Sequence, residues 1–574
     1  MDFVISNNKM SWLRKEINIS KDISVYYNTS NKIKERELIY DDREITVLAD
    51  ANIAFINQIK SNSFTQKNIE SAIENLINGY ILLIDKNDKN IYLYTDIFGF
   101  YHLFYLNRND KIIVSNNYND LIEYSHKKLD YYAFLDVVLF NYTLLDRTPL
   151  KDIKRVKGGS FVRIAENSTL KIESKFNYAD NFTYNELSKA DEVQISNYIT
   201  DALSKNLASK ENNILTMTGG FDSRILLSAL CNQNLRFESI TFGQKGNIEI
   251  ETIKPFMNRF SSHHELIDLD EKYVKNIDST LRDYLNYTLD CPVSLDLPHY
   301  LFVKNNIPSS NLITGFMGGE ILSGQSIGAQ VTFTEFAGDL LTTKNIDDLK
   351  QKFLDKVSDL KILNKDKIEP LLSDYLKSLE EYLYQEDNIN ILRFFINEKY
   401  AKFFGAINKV FRNHSNIVVP FMDKKILDLV LNSEISFLRK EQFQKNPLSN
   451  FKVKTLQAKM VDYLCKDLSK TKLDRLYTIN DLSKPYRYPL AALGYFKSHY
   501  LKTNKKSYPK PHNYDKWYRE TIINDLSRIT NDDLQKFLNH HDQESLQRLY
   551  DKSGSSEKKR LANILALKLA FDKI

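Results

Sequence analysis

Between Leu215 and Arg224 the chain reads LTMTGGFDSR, and these residue types together could do chemistry. Adjacent glycines, Gly219 and Gly220, let backbone N–H groups approach an anion with no Cβ in the way. Thr218 and Ser223 add hydroxyl donors. Asp222 would repel a bare phosphate, but a carboxylate belongs in a phosphate loop when Mg²⁺ lies between them. Polyphosphate, Mg²⁺ and a nucleotide follow as the expected ligands. The loop is neither G-x-x-x-x-G-K-[ST] nor G-x-G-x-x-G, and no lysine lies between Gly219 and Arg224. The plain alternative is a tight strand-to-helix turn capped by Asp or Ser.

Such a loop works only if flanking elements hold it. The apolar run NNILTM (212–217) predicts a strand ending near Met217, and SRILLSALCNQN predicts a helix from about Ser223. The carboxyl ends of parallel strands are where α/β sheets bind ligands, and the helix adds its positive N-terminal end. Glycine usage sharpens the reading. Of 17 glycines, eight fall in three windows: Gly219 and Gly220; Gly243 and Gly246; Gly315, Gly318, Gly319 and Gly324. Each window follows a predicted strand (NNILTM, FESITF, SNLIT), which describes a nucleotide pocket on one sheet edge.

Residues 1 to about 125 read as strands with a helix near 66–78. Two strands lie within 80–96, two more within 100–116 turning at Asn-Arg-Asn-Asp, then come a helix at 131–142 and a strand near 170–178. After about 185 the pattern becomes alternating helix and strand, which predicts a parallel, doubly wound sheet. Beyond about 335 it is mostly helical.

The 574 residues suit several average domains or two large ones. With 79 basic and 74 acidic residues the charges nearly cancel, so no nucleic-acid partner is expected. Three widely spaced cysteines, Cys231, Cys291 and Cys465, suggest neither a disulfide framework nor a zinc site. No signal pattern or membrane-length apolar run is evident, so a cytoplasmic protein is expected. His263-His264 and His540-His541 lack a third ligand at metal spacing and read as surface or structural.

These motifs resemble the asparagine synthetase-like family of ATP pyrophosphatases. TGGFDS resembles its S-G-G-x-D-S pyrophosphate loop, with Thr218 keeping the first hydroxyl. SITFGQKGNIEIETIKPF (239–256) is similar to its adenine-contacting strand and loop, with Thr241, Phe242 and Gly243 at the strand end. LITGFMGGEILSG (312–324) resembles its G-x-G-x-D-E-L-F-x-G loop, and VVPFMDKKILDLVLN (418–432) its P-F-L-D helix start. Nearer the N-terminus, Asn78-Gly79, Asp96-Ile97-Phe98-Gly99, Leu103-Phe104-Tyr105 and the segment TPLKDIKRVKGGSFVRI resemble the family's glutaminase domain.

The resemblance implies a two-domain α/β and β-rich protein. Residues 1–185 would form an N-terminal nucleophile-hydrolase-like αββα domain. Residues 186–574 would form a doubly wound parallel-sheet ATP-pyrophosphatase domain with a large helical C-terminal part. It implies ATP and Mg²⁺ as cofactors and amide formation in two steps. A substrate carboxylate attacks the α-phosphorus, releasing pyrophosphate, and an amine or ammonia then displaces AMP from the acyl-adenylate. Thr218, Gly219, Gly220, Asp222, Ser223, Thr241, Phe242, Gly243 and Gly315 would line the nucleotide site. Asp222 and Glu320 would hold the metal. Lys452 or Lys454 would act as the catalytic cation, with Arg224 beside the phosphates and Glu249 or Glu251 near the ribose or metal. A homodimer or a pathway partner protein is a further expectation.

Three departures qualify this. The family's glutaminase uses a cysteine at position two, where this chain has Asp2, and a carboxylate cannot replace a thiolate nucleophile. Glutaminase activity is therefore expected to be absent, as in the β-lactam synthetases and lasso-peptide cyclases, which use an amine already on a substrate. The family's loop Asp, a Mg²⁺ ligand, falls on Gly319. Its usual Glu and Arg before the proline fall on Asn416 and Val418, in a region that faces the substrate in the family. A peptide macrolactam, surface polysaccharide or small natural product are the candidate products. The rivals are a pseudoenzyme that binds nucleotide or a partner, and another adenylating activity such as tRNA modification.

Overall fold

The computed structural model describes residues 1–7, 15–20, 23–29, 32–108, 111–209, 211–291, 295–322, 334–439, 447–473, 477–500 and 510–574. Among the described residues of the first 174, twelve antiparallel strands occur: β1 (Asp2–Ser6), β2 (Lys15–Asn18), β3 (Ser24–Asn28), β4 (Glu37–Asp41), β5 (Ile45–Ala51), β6 (Gly79–Asp85), β7 (Asn90–Thr95), β8 (Phe104–Arg108), β9 (Lys111–Ser115), β10 (Ile153–Arg155), β11 (Ser160–Ile164) and β12 (Leu170–Ser174). They form two sheets, ordered β10-β8-β9-β1-β3-β2 and β12-β11-β7-β6-β5-β4.

Period-two alternation explains how the sheets stack. Phe3 and Ile5 of β1 point into a core shared with Leu48, Tyr80, Leu82 and Leu93 of the second sheet. Val4, between them, faces the other way and packs with Phe134, Leu135 and Val138 of the helix Tyr131–Phe140. On the far side of the second sheet, Val47, Ala49, Ile81 and Leu83 pack on Phe55, Ile56, Ile69 and Ala72. The order is thus helix, sheet, sheet, helix. The helix expected near 66–78 is Gln66–Ala72 with a 3₁₀ turn to Asn75. A second helix, Ile53–Lys60, was not evident in the sequence, because its core residues Ile53, Phe55, Ile56 and Ile59 are as rich in β-formers as the strands beside it.

Five parallel strands follow: β13 (Asn212–Thr216), β14 (Glu238–Gly243), β15 (His264–Asp268), β16 (Ser310–Ile313) and β17 (Asn416–Val418). Their order is β15-β14-β13-β16-β17. The chain steps outward from β13 to β15, then returns to place β16 on β13's other side. Between β13 and β16 the strand order reverses, and connections leaving those strands diverge to open a crevice.

The helical remainder includes one continuous run from Ile389 to Phe411, π-helical over Phe394–Phe404. It is fastened to the first 185 residues through buried polar contacts. Asn177 donates to Asn397 at 3.0 Å, Lys402 Nζ to the Leu145 carbonyl at 2.6 Å, and Asn408 to Asn78 at 3.0 Å. No described helix is long and apolar enough to cross a membrane.

Candidate functional site

At the crevice, β13 gives way to Met217, whose N–H still pairs with the Ile240 carbonyl at 2.8 Å. The helix Phe221–Asn232 then starts with Gly220 as its N-cap. Glycine has no side chain to satisfy the first-turn N–H groups, which leaves the positive helix end available to an anion. Ser223 latches the loop. Its hydroxyl donates to the Thr218 carbonyl at 3.0 Å and accepts the Thr218 N–H at 3.2 Å. The loop is preformed, with the Thr218 and Ser223 hydroxyls side by side at 3.2 Å.

A cavity of about 320 Å³ opens beside it. Thr218, Asp222 and Ser223 form its polar floor. Phe242, Tyr300, Phe316 and Phe411 give apolar walls, and Glu249, Gly315 and His512 complete the rim.

Asp222 sits under the third glycine window. A Cβ on Gly315 would lie 3.2 Å from the Asp222 Cβ, and one on Gly318 would lie 2.7 Å from the Phe421 ring and 2.9 Å from Asp222. Met317, just before, has φ 68°, a left-handed conformation that bulky residues avoid. Three glycines and one strained residue let this loop press onto the carboxylate. Asp222 accepts from the Gln457 amide at 3.3 Å and from the Gly319 N–H. Burial, then the nearby Glu320 carboxylate, push its carboxyl up to about 7, against the pull of Lys454 and that N–H.

Lys454 is the lysine brought to this place. Its ammonium donates to Gln457 at 3.2 Å and lies 5.1 Å over the Phe221 ring. The Lys452 side chain and Gly324 fall outside the described residues. Glu320 is not a free ligand, since the buried Lys399 pairs with it at 3.0 Å. Burial pushes the Lys399 ammonium below the usual lysine range, with Glu320 opposing.

Several expected residues lie elsewhere. Arg224 turns away from the loop and is fully buried. Its guanidinium donates to the Thr471 hydroxyl at 2.7 Å and the Lys472 carbonyl at 2.9 Å, and it packs 4.7 Å over the Phe256 ring. At position four of the helix, its side chain projects to the face that buries against the C-terminal region, not toward the helix end. Thr241 donates to the Met217 carbonyl at 2.7 Å and so joins β13 to β14 without lining the cavity. Gly243, at φ 154°, leaves room for the Asn247 amide, 2.7 Å from a built Cβ. Gly219 and Gly220 shape the loop behind the lining. Of the two acids, only Glu249 reaches the cavity, and Asn247 caps that helix. Asn416 is buried apart from this cavity, where its amide donates to the Asn206 carbonyl at 2.6 Å and to Asn311 at 2.9 Å. His264 bonds Ser239 at 2.9 Å, and no cluster of three metal-binding side chains occurs among the described residues.

The structure adds residues that sequence reading missed. His512 reaches the cavity beside Pro511, whose carbonyl accepts the Gln244 N–H at 3.0 Å. Its ring stacks on His299 at 4.6 Å, and burial pushes its imidazole down to about 4, so it is neutral at pH 7. Tyr300 stands edge-on to Phe242 at 5.4 Å. Nothing in the PHNY stretch distinguishes His512 from a surface histidine.

A scan against protein-family models finds no match, and no curated protein matches the chain.

Proposed function

We propose that this crevice binds Mg²⁺ and ATP, and that the protein is a carboxylate-activating, amide-forming ligase of the asparagine synthetase-like type. The observation that carries the reading is Asp222, pressed beneath a glycine loop at the strand ends with the Glu320 charge nearby, lining a cavity with aromatic walls. The site fits the cation: its two carboxylates repel, and the missing Cβ at Gly319 leaves space 3.1 Å from the Asp222 carboxylate. Asp222 would hold Mg²⁺, whose remaining ligands would be phosphate oxygens and water. Bound there, the ion neutralises triphosphate charge.

The chain's own groups have definite tasks in this reading. The Thr218 and Ser223 hydroxyls and the first-turn amides bind phosphate oxygens. Phe242 and Tyr300 offer faces to a base. Lys454 supplies positive charge where charge develops on the α-phosphate. Gln457 orients both Lys454 and Asp222. The resemblance makes residues 1–185 a nucleophile-hydrolase-like partner domain, and Asp2 supplies no thiolate, so the amine comes from ammonia or the substrate.

The Lys399–Glu320 pair favours a second reading, nucleotide binding without catalysis, because it occupies the acid that would compensate for Gly319. Pyrophosphate exchange separates the two. Purified protein with Mg²⁺, ATP and a panel of carboxylates should exchange labelled pyrophosphate into ATP, and Asp222→Ala should reduce that at least about 100-fold. ATP binding unaffected by Asp222→Ala would remove the site assignment, and binding with no exchange would favour the second reading.

A further inference from the structure

A second cavity, of about 200 Å³, is lined partly by the first 185 residues and partly by the Ile389–Phe411 run, and it shares no lining residue with the crevice. Its charged lining is three cations, Arg155, Lys157 and Lys402, and three acids, Asp146, Glu381 and Glu398. Four of the six are paired. Lys402 meets Glu398 at 2.8 Å, and Lys157 meets Glu381 at 3.5 Å and Asp180 at 3.0 Å. Glu398 also accepts the Leu145 N–H at 3.0 Å and the Tyr382 hydroxyl. Arg155 and Asp146 remain, and neither side chain makes an ion pair among the described residues. Their backbones hold them close: the Arg155 N–H donates to the Asp146 carbonyl at 2.7 Å.

Arg155 ends β10 and is only 5% exposed. Its Nη2 donates to the Gly99 carbonyl at 2.6 Å and the Ala401 carbonyl at 3.2 Å, while its Nη1 has no partner among the described residues. Asn397, 7% exposed, lies one turn before Ala401 on the same run. The Asn177 amide donates both to the Gly158 carbonyl and to Asn397 Oδ1, each at 3.0 Å. That engages the Asn397 oxygen and leaves its Nδ2, which also lacks a partner among the described residues. Two buried donors without acceptors, one of them on an unpaired guanidinium, are costly unless something completes them.

We propose that this cavity binds a free α-amino acid, at a site separate from the crevice. The ligand's carboxylate accepts from Arg155 Nη1 and Asn397 Nδ2, and its ammonium donates to the exposed Asp146. The charges select this class. The three cations and three acids cancel, so a ligand with one charge of each sign keeps the balance. A simple carboxylate would leave Asp146 unmatched, and a phosphate would bring two negative charges against three acids. The bound molecule would bridge β10 and the run that fastens the C-terminal part to the first 185 residues.

The inference does not depend on what the crevice binds. Full-length protein titrated calorimetrically with each of the standard amino acids in turn should bind at least one of them saturably. The 2-hydroxy acid and the α-amide bearing the same side chain should each bind about 10-fold more weakly or worse, because each lacks one of the two charges. Arg155→Met and Asp146→Asn should each weaken the amino acid by a similar factor, and Asp222→Ala should not. Asp146→Asn alters an exposed side chain and decides the matter should Arg155→Met misfold. The proposal is wrong if no amino acid binds, if the hydroxy acid binds as well as the amino acid, or if Asp146→Asn leaves the affinity unchanged. Binding lost in Asp222→Ala but kept in the other two variants would place the amino acid in the crevice and overturn the proposal as well.

Discussion

Two carboxylates, the buried Asp50 in a strand and the half-buried Asp222 in the first turn of a helix, have opposite characters. Asp50, in the antiparallel half, is saturated. Arg36 Nε donates to it at 3.2 Å, the Met1 ammonium at 2.8 Å, and the Tyr101 hydroxyl lies at 3.4 Å. Burial raises its carboxyl, but the Met1 ammonium and Arg36 outweigh that and hold it below the usual range. Asp222, in the parallel half, has one amide and one backbone N–H for partners, a like charge nearby, and an open cavity. A carboxylate that is fully paired stabilises a fold. One that is under-paired beside a cavity destabilises it, and such a residue makes physical sense where a ligand completes it.

The sharpest way to break this contrast is to remove charge at each place. Arg36→Met should leave Asp50 with part of its compensation gone and cost about 3–5 kcal/mol, the usual consequence of breaking a buried pair. Asp222→Asn should leave urea stability at pH 8 unchanged or raised, while ATP binding with Mg²⁺ is lost. Equal destabilisation by the two substitutions would make Asp222 an ordinary structural residue.

A smaller effect separates two neighbouring glycines. Gly318→Ala places a methyl against the Phe421 ring and the Asp222 Cβ, and overpacking of this kind costs about 1–3 kcal/mol. Gly319→Ala meets only the Asp222 carboxylate oxygen at 3.1 Å, the end of a side chain that can turn. Its cost in thermal stability should be under about 1 kcal/mol, although the methyl enters the space proposed for the cation. Similar melting temperatures for both variants would show that the loop does not press on Asp222 as described.

This difference also marks what the sequence could reveal. The parallel alternation, the TGGFDS loop and the third glycine window were legible because strand-to-helix turns and glycine spacing are local signals. Lys399 was not. It lies in a helical run, INEKYAKFF, whose charges read as a solvated face, and the π-helical turn shifts the side-chain register from the regular 3.6-residue period. His512 is more than 100 residues from each of the walls it joins, and long-range contacts of this kind leave no periodicity. Arg224 misled for the complementary reason: adjacency to Ser223 in sequence put it near the phosphates, while helical geometry turned it toward Thr471. In the antiparallel half, Gly79 was legible as a fixed point, and the structure gives the cause. At φ 142° its built Cβ would stand 2.1 Å from the Asp50 carbonyl oxygen, so the strand next to Asp50 can approach only without a side chain.

The smallest effect is in the pH dependence, and its sign follows from the same pair. The Asp222 carboxyl, ordinarily near 3.8, is raised to about 7 in the folded protein, so the folded state holds this proton more tightly than the unfolded one. Its contribution to stability is fully present below the ordinary value and is lost as pH rises to about 7. Asp96 and Asp120 are raised to about 7 as well, so the wild-type profile alone cannot isolate Asp222. The difference between wild type and Asp222→Asn can. The variant should gain stability relative to wild type between pH 5 and pH 8 in urea titrations, and Mg²⁺ with ATP should cancel that gain by completing the wild-type carboxylate. Asp50→Asn should do the reverse at acid pH, losing stability relative to wild type as pH rises toward the ordinary value near 3.8, because its folded carboxyl is lowered, and should stay level between pH 5 and pH 8. Parallel pH profiles for the two variants would mean that the structure has assigned the two carboxylates their environments wrongly.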